Sequence, residues 1–83
     1  MHYVYLLTNN DKSKTYVGYT DDLRRRLREH KNGSSYWTKR LYDPTLYYYE
    51  AYVSEEAAKV REKKLKQYGS SYAGLLKRIG LKK

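Results

Sequence analysis

The chain contains no cysteine and no phenylalanine, and it has a single proline. Without cysteine there can be no disulfide and no thiolate-held zinc or iron–sulfur site, which fits a reducing, cytoplasmic setting. With one Pro and five Gly in 83 residues there is no linker, low-complexity tract or repeat, so residues 1–83 are expected to form a single domain. A domain of this length has a modest core. The sequence has no long apolar run and no signal-peptide pattern, so it offers no membrane span. Acidic residues are scarce as well: 9 Asp+Glu stand against 18 Lys+Arg, a net charge of +9. That balance favours a polyanionic partner, nucleic acid first, and makes a membrane surface the weaker candidate.

Tyrosine is abundant. There are 12, with one Trp, and each combines an apolar ring with a polar tip suited to a core boundary or a working surface. Tyr3-Val4-Tyr5-Leu6-Leu7 predicts a first strand, and Asn9-Asn10-Asp11-Lys12-Ser13 predicts a reversal into a second, Thr15-Tyr16-Val17-Gly18-Tyr19. Tyr3, Tyr5 and Leu7 then share one face of the first strand, and Tyr16 and Gly18 share one face of the second. A helix follows, capped by Thr20 or Asp21 and stopped at Asn32-Gly33. Residues 34–44 read as a loop in which Tyr36 and Trp37 stand beside Lys39 and Arg40, a setting for stacking and phosphate contact. TLYYYEAYV over 45–53 predicts a third strand. Ser54 caps a second helix that Gly69 stops, and a last basic helix starts at Ser70 or Ser71. The order is ββαβαα, an α/β (α+β) fold with helices packed on a small sheet.

At about 100° per residue, Leu23 and Leu27 define the apolar stripe of the first helix. Arg26 and His30 lie on one flank of that stripe and Arg24 and Lys31 on the other, while Arg25, Arg28 and Glu29 point away. On the second helix Ala57, Ala58, Val60, Leu65 and Tyr68 form an apolar arc, with Arg61 in its middle and Glu62 at its edge. A carboxylate on such a rim needs a cation: it is either ion-paired, with Arg61 or Lys66 as partner, or a metal ligand. One Glu can hold Mg²⁺ or Mn²⁺ when water and phosphate oxygens complete the shell. An Arg nearby can stabilise charge on a phosphoryl oxygen, and a Tyr can take a proton or orient water.

These residues together resemble the GIY-YIG nuclease family. Tyr3-Val4-Tyr5 stands where the family has its first triplet, and Tyr16-Val17-Gly18 stands for the second. YTDDLRRRLREH resembles the helix that carries the family arginine, ten residues beyond the second triplet's Tyr, at Arg26. His30 matches a histidine found on this helix in some members, and AAKVREKKLKQYG resembles the helix with the metal-binding glutamate, at Glu62. The resemblance covers nearly the whole chain. It is nearest to the short, single-domain bacterial members related to the endonuclease of nucleotide-excision repair.

The resemblance implies a three-stranded antiparallel sheet flanked by helices and a metal-dependent hydrolysis of phosphodiester bonds in DNA. It implies Tyr16 as general base or water-orienting group, Tyr5 as its neighbour at the phosphate, and Gly18 as a position keeping the strand surface open. It further implies Arg26 as the phosphate clamp, His30 as an aid to water or Tyr, and Glu62 as the ligand of one Mg²⁺ or Mn²⁺. Arg24, Lys39 and Arg40 are the expected additional substrate contacts, and Lys77, Arg78, Lys82 and Lys83 add phosphate contacts without sequence readout. Larger members carry an Asn after the glutamate helix; after Glu62 this chain has Gln67 as its one side-chain amide. The alternative function is a nucleic-acid-binding module of the same fold with little or no cutting.

Overall fold

A computed structural model describes residues 1–9, 12, 14–31 and 44–81. Six elements follow in the order β1 (His2–Thr8), β2 (Thr15–Thr20), α1 (Leu23–Lys31), β3 (Thr45–Tyr52), α2 (Glu55–Lys66) and α3 (Ser70–Arg78). The three strands form one antiparallel sheet in the order β2-β1-β3, so the ββαβαα reading and the three-stranded antiparallel sheet are both observed.

β1 is the middle strand, and its apolar run over Val4–Leu7 is buried from both sides. Period-2 alternation divides that run between two small cores. Val4, Leu6 and Val17 face Ala58 and Leu65 of α2 and Leu75 of α3. Tyr5 and Leu7 face the other way, onto Leu23 and Leu27 of α1, with Tyr16 and Leu46 beside them. Each large aliphatic side chain so buried contributes about 1.5–3 kcal/mol. Two cores on either face of a sheet thus substitute for one large one.

The register fixes which side chains meet. Tyr5 lies opposite Gly18 on β2 and opposite Tyr49 on β3, while Leu7 lies opposite Tyr16. Tyr3, Tyr5, Leu7, Tyr16 and Gly18 therefore share one face, as the strand pattern predicts. The β1–β3 register shifts between Leu6 and Leu7, whose partners are Tyr48 and Leu46, leaving Tyr47 as the extra residue of a bulge. Its hydroxyl donates to the Ile79 carbonyl at 3.0 Å, tying the bulge to the end of α3.

Several boundaries differ from the sequence reading. α1 begins at Leu23 and is capped by Asp22, whose Oδ1 accepts from the Arg25 amide at 3.1 Å; the Thr20 hydroxyl accepts from the Asp22 amide instead. Ser54 does cap α2, accepting from the Ala57 amide at 3.1 Å. Gly69 does not supply the left-handed residue after α2. Tyr68 does, at φ 55°, and Gly69 is the N-cap of α3. The buried stripe of α2 is also rotated from the expected arc. Ala58 and Leu65 are buried with Arg61 and Glu62 half-buried between them, whereas Ala57, Val60 and Tyr68 are exposed. The i, i+3, i+4, i+7 spacing of 58, 61, 62 and 65 is a complete helical face, and it is the polar pair that the strands call inward. The expected helix stop at Asn32-Gly33, the loop with Tyr36, Trp37, Lys39 and Arg40, and the terminal Lys82 and Lys83 lie outside the described residues.

Candidate active site

The Tyr5 ring lies directly across Gly18. A Cβ built on Gly18 would stand 2.4 Å from both Cζ and Oη of Tyr5, well inside contact distance. The expectation that Gly18 keeps the strand surface open is therefore corrected: the missing side chain makes room for the ring of its cross-strand neighbour. Laid flat in this way, Tyr5 is only 1 % exposed and its hydroxyl is carried toward α1.

Two α1 side chains one turn apart receive that hydroxyl. His30 Nε2 lies 2.8 Å from Tyr5 Oη, and Arg26 Nε donates to the same oxygen at 3.4 Å. Arg26 Nη1 donates to Glu29 Oε1 at 3.0 Å, so the guanidinium is held from two sides. With Tyr5 Oη accepting from Arg26, its own O–H finds a partner by donating to His30 Nε2, which places the proton of a neutral imidazole on Nδ1.

The electrostatics follow from burial. Desolvation pushes the Tyr5 phenol up to about 12; Tyr16 and Glu62 add to this through space, and Arg26 opposes it. Desolvation takes His30 down to about 4, with the Arg26 charge acting in the same direction and Glu29 against it. Bonds to Tyr5 and Glu29 raise Arg26 above its already high value, outweighing its own desolvation. At neutral pH the cluster is thus a phenol, a neutral imidazole and a fixed guanidinium.

Tyr16 completes the aromatic side. Its ring centroid is 6.4 Å from that of Tyr5 and 5.5 Å from that of His30, both tilted or edge-on. From α2, Lys66 Nζ sits 5.5 Å from the Tyr16 ring centroid and 3.2 Å from Glu62 Oε2. Ala58 and Leu65 belong to the opposite face of the sheet, yet Lys66 of the same helix reaches the Tyr16 ring and Glu62 acts on Tyr5 through space. Tyr5, Tyr16, Gly18, Arg26, His30 and Glu62 are thereby brought together.

Among the described residues no cluster of three or more His, Asp or Glu could enclose a metal ion. Glu62, with its side chain 23 % exposed, is a single hard oxygen donor. That donor set does not fit a cage made wholly of protein, but it does fit Mg²⁺ or Mn²⁺ held by one carboxylate and completed by water and phosphate oxygens.

Other expected residues lie elsewhere. Arg61, the cation in the buried stripe of α2, does not pair with Glu62; its Nε and Nη2 donate to the two oxygens of Glu50 at 3.0 and 3.1 Å. Arg24 is exposed and lines a separate concavity of about 350 Å³ with Tyr3, Asp21, Asp22, Leu23 and Tyr49. Lys39 and Arg40 lie outside the described residues. The helical pattern points Glu29 away from the site, which is corrected, since Glu29 is half-buried and pairs with Arg26; it leaves Tyr49 unmarked as a neighbour. The i, i+3 spacing from Arg26 is the available signal for Glu29, and the pairing of Tyr49 with Tyr5 needs the register.

Comparison with known proteins places the chain in a family. The family model described as the GIY-YIG catalytic domain matches residues 1–74. A UPF0213 protein of Haloquadratum walsbyi is 38 % identical over 68 residues, covering 81 % of this chain and 75 % of its own. A UPF0213 protein of Halobacterium salinarum is 37 % identical over 68 residues, covering 81 % and 87 %. The solution NMR structure of a UPF0213 protein from Bacillus halodurans superposes with a TM-score of 0.57 at 30 % identity, covering 94 % of this chain and 83 % of that one. By its triplets, its fold and the match across most of its length, the chain belongs to the GIY-YIG catalytic-domain family.

Proposed function

We propose that this protein is a divalent-metal-dependent endonuclease that hydrolyses phosphodiester bonds in DNA, selecting by structure or weakly by sequence, in a repair- or recombination-type role. One observation carries the reading: Arg26 and His30 are locked onto the Tyr5 hydroxyl, with Tyr16 beside the Tyr5 ring and Glu62 acting on Tyr5 through space. Such a set has a donor for phosphate, a group for the attacking water and a carboxylate for a cation. The net charge of +9 suits the polyanionic substrate, and the absence of cysteine suits the cytoplasm. No helix among the described residues is long and apolar enough to cross a membrane.

In this reading Arg26 binds the scissile phosphate and meets the charge that grows on its oxygens in the transition state. Tyr16 acts as a phenolate, its own proton having gone to solvent. It orients the attacking water and takes a proton from it as the new P–O bond forms, while the bond to the leaving oxygen breaks and that oxygen is protonated by solvent. The phenolate charge that this role requires faces two cations, Lys66 and Arg26. Tyr5, kept as a phenol by burial, is not the base; it holds Arg26 and His30 in place. Glu62 would hold the divalent ion, whose contribution when bound is to polarise the phosphoryl group and neutralise its charge.

The second reading, a binding module that does not cut, draws on the ion pair by which Lys66 already satisfies Glu62. A panel of supercoiled, branched, single-stranded and flapped DNA plus RNA, incubated with Mg²⁺ or Mn²⁺, separates the two. Wild type is expected to cut DNA, and Glu62→Ala and Arg26→Ala to lose cutting while keeping the wild-type fold. Equal trace cutting by wild type and Glu62→Ala would leave the binding module standing.

A further inference from the structure

Lys66 occupies the space that links the two halves of the site. It lies one turn after Glu62 on α2, with Nζ 3.2 Å from the Glu62 carboxylate and 5.5 Å from the centroid of the Tyr16 ring. The ion pair is of the i, i+4 type with Glu on the N-terminal side, the orientation a helix favours. Both partners are partly shielded, the side chains being 41 % and 23 % exposed, so water screens the pair less than one on an open surface. Other α2 ion pairing is spent elsewhere: Lys59 pairs with Glu55, and Arg61 with Glu50 on the other face of the sheet. Lys66 is therefore the α2 cation aimed at the group that would receive a metal ion.

An ammonium beside a lone carboxylate opposes a divalent ion in two ways. It satisfies the carboxylate, and its charge repels a second cation brought to the same oxygen. Lys also carries a flexible stem of four carbons, so its head can leave the carboxylate without moving the helix. A nucleic-acid phosphate entering beside Tyr16 offers that head a new anionic partner.

We propose that Lys66 is a positioning residue that acts as an internal counter-cation for Glu62: it weakens metal binding to the free protein, and substrate phosphate releases it, so that metal and nucleic acid bind with positive coupling. The inference rests on the assignment of Glu62 to the metal ion made above. Because coupling between two ligands is reciprocal, the same device makes DNA bind more tightly when the ion is present. Its scale is that of a partly shielded ion pair, about 2- to 5-fold in an equilibrium constant.

The test titrates Mn²⁺ into the protein and follows free Mn²⁺ by electron paramagnetic resonance, with no nucleic acid present. Lys66→Met is expected to bind Mn²⁺ about 2- to 5-fold more tightly than wild type, a gain that a merely disturbed helix would not give, and Lys66→Arg to bind as wild type does. Repeating the titration with a short DNA duplex on an Arg26→Ala background, which blocks cutting, should show a smaller DNA-induced gain for Lys66→Met than for Lys66. Unchanged or weaker Mn²⁺ binding by Lys66→Met, or an undiminished DNA-induced gain, would overturn the proposal. Glu62→Ala is the control: if it binds Mn²⁺ as wild type does, the metal assignment itself fails, whatever Lys66→Met shows.

Discussion

Gly18 and Tyr5 occupy facing positions on neighbouring strands, and the ring of one fills the volume that a side chain on the other would need. The contact distance of 2.4 Å to a hypothetical Cβ is too short to be absorbed without moving the ring or the strand. Gly18→Ala is expected to destabilise the fold by about 1–3 kcal/mol, the usual range for overpacking a filled site. In a Tyr5→Ala background the same change should be neutral or stabilising by up to about 1 kcal/mol, since a glycine removed from a strand no longer has to be ordered. Urea midpoints of the four members of this cycle measure the coupling. Additive effects would show that the two residues do not compete for the same space.

The Tyr5–His30 bond leads to a prediction about acid. His30 is 2 % exposed, and burial next to Arg26 takes it to about 4 from the ordinary 6.5. Above pH 6.5 the imidazole is neutral in both folded and unfolded chains, so the shift has no effect on stability there. Between 6.5 and 4 the unfolded chain takes up a proton that the folded chain refuses, so stability falls with falling pH and levels off below about 4. Carboxylates titrate in the lower part of the same window, so the informative quantity is the difference from His30→Gln. Between pH 7 and pH 5 the variant should lose less stability than wild type. A wild-type curve parallel to that of the variant would rule out a buried neutral His30.

How much of this arrangement was visible in the chain depends on the range of the interaction. Strand alternation and helical spacing placed Tyr5, Tyr16, Arg26 and His30 on inward faces, because each of those signals is local and periodic. The family triplets then brought the strands and both helices to one site. Local patterns could not say that Tyr5 faces Gly18, because register is set by pairing across the sheet. Nor could they choose the partner of Arg61, because Glu50 lies 11 residues away on β3 and meets it only after α2 has docked. The rotated stripe of α2 has the same origin. Val60 and Tyr68 are apolar by composition, yet Arg61 turns inward to a tertiary partner, Glu50 on β3, and Glu62 beside it pairs with Lys66 of its own helix.

Glu50 anchors the face of the sheet opposite Tyr5. Arg61 contacts it through two hydrogen bonds, Tyr48 donates to it at 2.6 Å, and Tyr52 donates to its other oxygen. Burial alone would raise its carboxyl, but the bonds from Arg61, Tyr48 and Tyr52 together hold it below the ordinary range. Arg61→Ala removes the charged donor and is expected to cost about 1.5–3 kcal/mol of stability. Because the network lies on the other side of the sheet, nicking per folded molecule at low temperature should be unchanged. A loss of nicking larger than the loss of folded protein, judged by circular dichroism, would place Arg61 in the chemistry after all.

The two site tyrosines should separate cleanly when each loses only its hydroxyl. Tyr5 Oη is the shared partner of His30 and Arg26, so Tyr5→Phe removes both of these bonds from a buried cluster and should cost about 1–3 kcal/mol. The Tyr16 hydroxyl has no hydrogen bond to a described residue, so Tyr16→Phe should change stability by no more than about 0.5 kcal/mol. Activity is expected to rank the other way for the chemical step. Tyr16→Phe removes the group assigned to the water and should slow single-turnover cutting by about 10²- to 10⁴-fold. Tyr5→Phe acts only by loosening Arg26, so part of its loss should return when folding is restored by lower temperature, whereas the Tyr16→Phe defect should stay. If Tyr5→Phe proves the more severe defect at full folding, the proton passes through Tyr5 and His30, and the roles given to the two tyrosines must be exchanged.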